Sequence, residues 1–284
     1  MTIDALIEEY KKLGIDQQVD FEKIHLYSII AHSTAIEGST ITVEENQVLL
    51  DEGLAIKGKP LKDQMMNLDL KEAYLSAFDL ARKHIDILPE TLKSLSSLVM
   101  RRTGGIFKTA NGDFDSSRGD FRLVNVTAGY GGRSYPSYTK VNERVSRFCE
   151  WLNEQRQELP HMTSEESYKL SFESHLRLVS IHPWVDGNGR MSRLLMNLIQ
   201  YEAGVIPTII LKEDKPDYIS ALQRSQMEEN KEPFIKYMLH IQKRNLESDI
   251  SKHLSSLNMD TDFSSPKEKV DVHSHKEKTQ LKPH

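Results

Sequence analysis

Twelve consecutive residues, His182-Pro-Trp-Val-Asp-Gly-Asn-Gly-Arg-Met-Ser-Arg193, put an imidazole, a carboxylate, two glycines and two guanidinium groups into one short run. A free imidazole titrates at about 6.5, so His182 can take a proton from a hydroxyl at neutral pH. Pro183 disfavours helical geometry at His182, which predicts that a preceding helix ends there. Gly187 and Gly189 carry no Cβ and allow a tight turn that comes close to a ligand. From Arg190 to Gln200 the chain reads as a helix, with Met191, Leu194, Leu195 and Leu198 as its apolar stripe. Unpaired amides at the start of that helix, at its positive dipole end, form an anion site. Arg190 and Arg193 lie about one turn apart and can point both guanidinium forks at the same oxygens. Asp186 at the lip supplies a hard oxygen ligand for Mg²⁺ (or Mn²⁺), with phosphates supplying others. The expected chemistry is capture of a metal-bound nucleotide beside a base that activates an alcohol.

The run resembles the signature of the Fic family, His-Pro-Phe-x-Asp/Glu-Gly-Asn-Gly-Arg-x-x-Arg, and departs from it in Trp184, where Phe is usual. Trp184 is still expected to anchor the loop, given room and a partner for its N–H. The resemblance implies that His182 is the base for a Ser, Thr or Tyr hydroxyl of a target protein. It also implies Asp186 on the metal, the amides of Gly187, Asn188 and Gly189 on phosphate oxygens, Arg190 on the β/γ portion and Arg193 on the γ-phosphate. ATP would then be the co-substrate, with AMP transferred and pyrophosphate released. Tyr218, with Leu222 and Gln226 continuing its face, is the candidate wall for adenine; Ile219 and Gln226 depart from the commonest Tyr and Asn. The run Gly119-Asp-Phe-Arg-Leu-Val-Asn-Val126, followed by Pro136, resembles the family's hairpin flap. A flap near 121–138 would dock the hydroxyl-bearing target by adding a strand to it.

A second motif lies upstream. Phe21 to Glu37 reads as a helix, with Ile24, Tyr27, Ile30 and Ala31 on one side and Gly38 at its stop. Glu37 in the last turn is a local inconsistency, because a negative charge there opposes the helix dipole where Lys, Arg or His is favoured. Ser33-Thr-Ala-Ile-Glu37-Gly38 resembles the inhibitory motif of the same family, Ser/Thr-x-x-x-Glu-Gly/Asn. That likeness implies a Glu37–Arg193 pair in the place of the γ-phosphate, hence an autoinhibited enzyme that modifies itself once the block is relieved.

The rest of the chain must position these groups. With 284 residues, 38% hydrophobic, it can bury a sizeable core. Helical periodicity covers about 42–53, 64–85, 90–102, 140–157, 165–181, 190–203, 215–228 and 231–256. Thr42-Val-Glu-Glu45 and Thr163-Ser-Glu-Glu166 read as capping boxes, and Asp214 precedes Lys215-Pro216 at another start. The exception runs from Phe107 to Tyr138, where Phe121–Thr127 has strand character and Gly129–Gly132 supplies a turn. The expected fold is therefore all-α, a Fic-type helical bundle with a small β-hairpin flap. Its expected organisation is a helical region over 1–95 carrying the inhibitory helix, a catalytic core with supporting helices over 96–258, and a flexible polar tail over 259–284. Five lysines against three acids between Ser264 and His284 fit a solvated tail.

Composition narrows the partners. A net charge of −5 argues against nucleic acid. The chain shows neither a signal peptide nor an apolar stretch of membrane-spanning length, and its single cysteine, Cys149, fits a reducing compartment, so a cytoplasmic protein is expected. The family resemblance also allows a homodimer. Two enzymatic rivals use the same residues: removal of AMP from a modified protein, and transfer of another nucleotide-derived group. Phosphate transfer, as in the related Doc-type proteins, is disfavoured by Gly187 and Gly189, which those proteins replace with bulkier residues. A binding module that has lost catalysis is disfavoured because each chemically necessary position is intact.

Overall fold

Three helices start at a threonine, Thr2, Thr42 or Thr163, whose side chain accepts from an amide of the first turn. In this computed structural model, which describes residues 1–128 and 132–263, the elements run α1 (Ile3–Lys12), α2 (Phe21–Ile36), α3 (Val43–Gln47), α4 (Leu61–Arg82), α5 (Pro89–Val99), β1 (Ile106–Thr109), β2 (Gly112–Asp115), α6 (Val141–Gln157), α7 (Ser164–Ile181), α8 (Asn188–Glu202), α9 (Lys215–Met227) and α10 (Glu232–Phe263). Both predicted capping boxes form. Thr42 Oγ1 accepts from the Glu45 amide at 3.2 Å while the Glu45 carboxylate accepts from the Thr42 amide at 2.9 Å. Thr163 and Glu166 exchange the same pair of bonds at the start of α7. Asp214 caps nothing with its side chain; Arg244 grips both of its oxygens, at 2.8 and 2.5 Å, and Pro216 sets the start of α9 instead.

The chain is an all-α bundle with one small antiparallel hairpin. Its centre is the pair α7 and α8, with α4 against α8 on one side and α10 against α7 on the other. Leu70 and Tyr74 of α4, Leu92 of α5, and Leu195 and Leu198 of α8 share one apolar cluster with Trp184. Tyr10 of α1, Tyr168 and Phe172 of α7, and Phe234 and Met238 of α10 form a second. Helix α8 separates the two, so its polar side chains must be satisfied inside the protein. Asn197 accepts from the Tyr74 hydroxyl at 2.8 Å and donates to the Thr208 carbonyl at 3.0 Å. Gln200 donates to Ser171 Oγ and accepts from the Thr208 amide. These bonds fix the rotation of α8, and with it the direction in which Arg190 and Arg193 leave the helix.

Two expectations need correction. The regular ladder is β1–β2, pairing Ile106 with Asp115 through Thr109 with Gly112, and it precedes the segment read as strand. Phe121–Thr127 is irregular; its only ladder element among the described residues is the bridge of Thr127 with Ser134, flanked by the Ala128–Arg133 and Tyr135–Val126 backbone bonds. The reason lies in Arg122, which is almost wholly buried and turns the Val124 and Pro136 carbonyls onto its own guanidinium, so they are not free for a ladder. The second correction concerns α10, which continues to Phe263 and so overlaps the start of the segment assigned to the tail. Most of that segment, 264–284, and most of the turn at Gly129–Gly132 lie outside the described residues. No described helix is long and apolar enough to cross a membrane.

Candidate active site

Helix α7 ends at Ile181, as Pro183 requires, and His182 takes a left-handed conformation (φ 54°, ψ 60°) that turns the chain into the loop. This conformation costs an L-residue about 1–2 kcal/mol, so neighbours must hold it. Arg122 does so. Its amide donates to the Pro183 carbonyl at 3.0 Å and its Nε to the His182 carbonyl at 2.8 Å. The indole of Trp184 anchors the other side: fully buried, it donates Nε1–H to the Gly119 carbonyl at 3.0 Å and meets Phe121 edge to face. The larger ring at this position thus has both the room and the partner it needs.

The imidazole of His182 is aimed by two contacts. Nδ1 lies 3.3 Å from the Val179 carbonyl, which can only accept, so the proton sits on Nδ1 and Nε2 keeps its lone pair. The Tyr135 ring stacks on the imidazole at 3.8 Å and 16°. Burial pulls the His182 pKa down to about 4, against a smaller rise from the Val179 bond; the Arg122 charge pulls it down further. His182 is therefore neutral at physiological pH, the form a general base needs.

Beyond the loop, α8 opens at Gly187, whose φ of 82° suits a glycine. The amides of Asn188, Gly189 and Arg190 stand in the first turn, where no intrahelical acceptor exists. Asn188 is occupied otherwise through its side chain, which brackets the loop by bonds to the Trp184 amide and carbonyl. Arg190 is buried yet poorly matched: Nη1 is 3.4 Å from the Val99 carbonyl, Nη2 is 3.1 Å from the Met100 sulfur, and Nε has no partner. A buried guanidinium with an orphan N–H beside free helix amides is a place for an anion.

Asp186 is the one carboxylate at the lip. Its side chain is 59% exposed, accepts from the Gly187 amide at 2.6 Å and lies 3.6 Å from Arg190. Among the described residues, no group of three or more His, Cys, Asp or Glu side chains could hold a metal ion by itself. The donor set fits Mg²⁺ taken with a nucleotide, because that ion accepts one protein carboxylate when phosphates and water complete its shell.

Arg193 faces α2. Nε donates to Ser33 Oγ at 2.8 Å, and Nη2 donates to the Ser33 carbonyl at 3.0 Å and to Glu37 Oε1 at 2.6 Å. Burial alone would lower the Arg193 pKa, but the Glu37 charge and the Tyr218 hydroxyl outweigh it and raise the net value. For Glu37 burial pushes upward, and Arg193, by charge and hydrogen bond, brings the carboxyl below its usual range. Both directions describe one ion pair. Its carboxylate reaches across Gly189, where a Cβ would stand 2.5 Å from Glu37 Oε1 and 3.0 Å from Arg193 Nη1. Gly38 ends the helix behind it with φ 103°.

The residues singled out in the sequence thus meet in one place, with Tyr218 at its back against Arg193. Tyr218 is 1% exposed; its hydroxyl bonds His175 Nε2 at 2.7 Å and its ring packs against Phe234. It sits behind Arg193 and opens no aromatic face to a base. Two roles escape sequence reading: Arg122, which lies within the run likened to the flap, is a clamp on the His182–Pro183 carbonyls, and Tyr135 is the stacking partner of His182. The flap likeness marks the segment that holds Arg122 but not the contact it makes, and Tyr135 carries no local pattern.

A model of the Fic/DOC family matches residues 86–200. Protein adenylyltransferase Fic of Drosophila persimilis is 30% identical over 225 residues, which is 78% of this chain and 40% of that protein. Its counterpart in Culex quinquefasciatus is 32% identical over 225 residues, again 78% and 40%. The chain spans about two fifths of the length of these curated relatives. Among solved structures, a Fic domain containing signaling protein from Bacteroides thetaiotaomicron superposes with TM-score 0.73 at 21% identity, covering 89% of this chain and 97% of that one. A Fic-1 fragment from C. elegans superposes with TM-score 0.66 at 22% identity, covering 91% and 74%.

Proposed function

Because this chain belongs to the Fic/DOC family, we propose that it is a protein adenylyltransferase that moves AMP from ATP to a Ser, Thr or Tyr hydroxyl of a target protein, held in check by Glu37. The observation that carries the reading is the buried Arg190 guanidinium, weakly bonded and with an orphan Nε–H, beside the open first turn of α8, with the His182 imidazole on the same loop. An oligophosphate supplies what Arg190 and the amides lack. His182 Nε2 takes the hydroxyl proton, the freed oxygen bonds the α-phosphorus, and the bond from that phosphorus to the departing pyrophosphate breaks. A base of this kind contributes about 10²–10⁴-fold in rate, and fixed donors around the phosphates supply much of the remainder. When bound through Asp186, Mg²⁺ would neutralise phosphate charge. The target is expected to add a strand at the flap near 121–138, where the ladder element among the described residues is the single Thr127–Ser134 bridge.

The Glu37–Arg193 pair supports autoinhibition. A γ-phosphate and the Glu37 carboxylate compete for the same guanidinium, so ATP cannot seat fully while the pair is closed. Keeping the open form near 1% requires about 2.7 kcal/mol, within the reach of a partly desolvated carboxylate–guanidinium pair. Removal of AMP by the same site, with Glu37 positioning water, is the second reading; the nearness of Glu37 to Gly189 favours keeping it.

Wild type, Glu37→Gly and His182→Ala should be incubated with ATP labelled at the α- or the γ-phosphorus. The account expects protein-bound α-label in Glu37→Gly, little in wild type and none in His182→Ala. Protein-bound γ-label would mean a kinase and overturn it. Release of AMP from a pre-modified protein that depends on Glu37 would favour the second reading.

A further inference from the structure

A groove of about 610 Å³ runs along the side of the bundle between the flap and the helices α6, α7 and α9. Five cations line it, Arg133, Lys140, Arg144, Arg147 and Arg177, against one anion, Glu143. The whole chain carries −5, so this concentration of positive charge runs against the composition. Local ion pairs do not cancel it. Glu143 pairs with Arg147 at 2.7 Å, and Arg177 shares Glu173 with Lys231 while lying 4.0 Å over the Trp151 ring. Lys140 and Arg144 are exposed and have no carboxylate partner among the described residues. Arg133 spans the groove to the Gln226 carbonyl, which ties the flap to α9.

The groove adjoins the catalytic loop. Its floor includes Ser180 and Ile181, the last residues of α7 before His182, and its wall includes Tyr135, whose ring stacks on the His182 imidazole. Chain lying in it is therefore only a few residues from anything presented to Nε2, at about 3.3–3.6 Å per extended residue. Of the two rings in the lining, Phe148 is buried in the core and Tyr135 already stacks on His182, so the groove is lined by cations and not by an aromatic platform.

We propose that this groove docks an acidic segment, close in sequence to the acceptor hydroxyl, of the protein that is modified. The proposal rests on the transfer reading above and adds the class of substrate. Charges arranged this way set encounter rate and choice of partner more than final tightness, and they are screened by salt.

The test is binding, measured without ATP by fluorescence anisotropy on the full chain. The probes are two serine peptides, identical except that one has consecutive aspartates where the other has asparagines. The acidic peptide should bind about tenfold or more tightly, lose that advantage at high salt, and lose it in Arg144→Glu/Arg147→Glu. A lysine-bearing peptide should gain affinity for that variant, which shows that the variant is folded and only reversed in charge. Equal binding of the aspartate and asparagine peptides would overturn the proposal, as would displacement of the acidic peptide by ATP. Tighter binding of a single-stranded oligonucleotide than of the acidic peptide would reassign the groove to nucleic acid. Absence of α-label transfer with acidic-peptide binding intact would instead count against the transfer reading.

Discussion

Arg122 holds the carbonyl of His182, not its ring: Nε donates to it at 2.8 Å while the rest of the fork serves the Val124 and Pro136 carbonyls. One buried guanidinium thereby fixes a left-handed residue, the loop that follows it and the base of the flap. Arg122→Ala should cost about 2–3 kcal/mol in urea melts, since buried acceptors lose their donor. It should also lower turnover more than ATP affinity. Arg122→Lys keeps the charge without the planar fork and should recover only part of either loss. A variant with wild-type turnover would show that the loop needs no clamp.

Removing Glu37 should have opposite effects on stability and activity. Without its carboxylate, Arg193 is a buried charge with no anionic partner, held by Ser33 and Tyr218, so Glu37→Gly should melt at lower temperature than wild type when no nucleotide is present. Saturating ATP should raise that melting temperature far more than it raises the wild type's; ligand at about 100 times Kd contributes about 2.7 kcal/mol. Equal ATP-induced shifts in the two proteins would mean that Glu37 does not compete with phosphate.

The His182 pKa of about 4 makes a signed prediction. The unfolded imidazole binds a proton near 6.5, above the folded value, so protons favour the unfolded chain over that interval. The contribution of His182 to stability is complete above about pH 6.5 and is lost as pH falls toward 4. His175, lowered to about 3 by burial, acts in the same direction, so the His182 part is the difference between wild type and His182→Asn. Transfer by Glu37→Gly should stay level through neutral pH and decline only in acid. A decline centred near 6.5 would place the imidazole in open solvent.

Tyr218 is better read as support for Arg193 than as a wall of the nucleotide site. Tyr218→Phe should cost about 1 kcal/mol, the worth of a buried hydroxyl bond to His175. ATP affinity, measured by calorimetry in the Glu37→Gly background, should remain within twofold. A tenfold loss would return the hydroxyl to the nucleotide.

Much of this architecture is legible in the sequence because local chemistry dictates it. The threonine–glutamate boxes, the stop at Pro183 and the apolar stripe of α8 are decided within a few residues. Helix α1 lies outside the windows read from periodicity, although Ile3, Leu6, Ile7 and Tyr10 have helical spacing and are all buried. The strand character of Phe121–Thr127 is not realised as a regular ladder, and β1 and β2 go unmarked because each is four residues long, too short to alternate clearly, and is signalled mainly by the stacked rings of Phe107 and Phe114. The fates of Arg122, Tyr135 and Tyr218 are tertiary. An arginine in a polar segment, or a tyrosine on an amphipathic helix, has the same local pattern whether it is buried against a carbonyl or left in water.

The central claim is that the first turn of α8 grips a triphosphate and leaves its α-phosphorus beside His182. Its most direct test is a crystal structure of Glu37→Gly with Mg²⁺ and an ATP analogue that cannot be cleaved between the α- and β-phosphorus. The account predicts the β- and γ-phosphates on the Asn188 and Gly189 amides, Arg190 and Arg193, with the α-phosphorus nearest His182 Nε2. A nucleotide seated the other way round, with its γ-phosphorus toward His182, or a triphosphate bound away from α8, would contradict it.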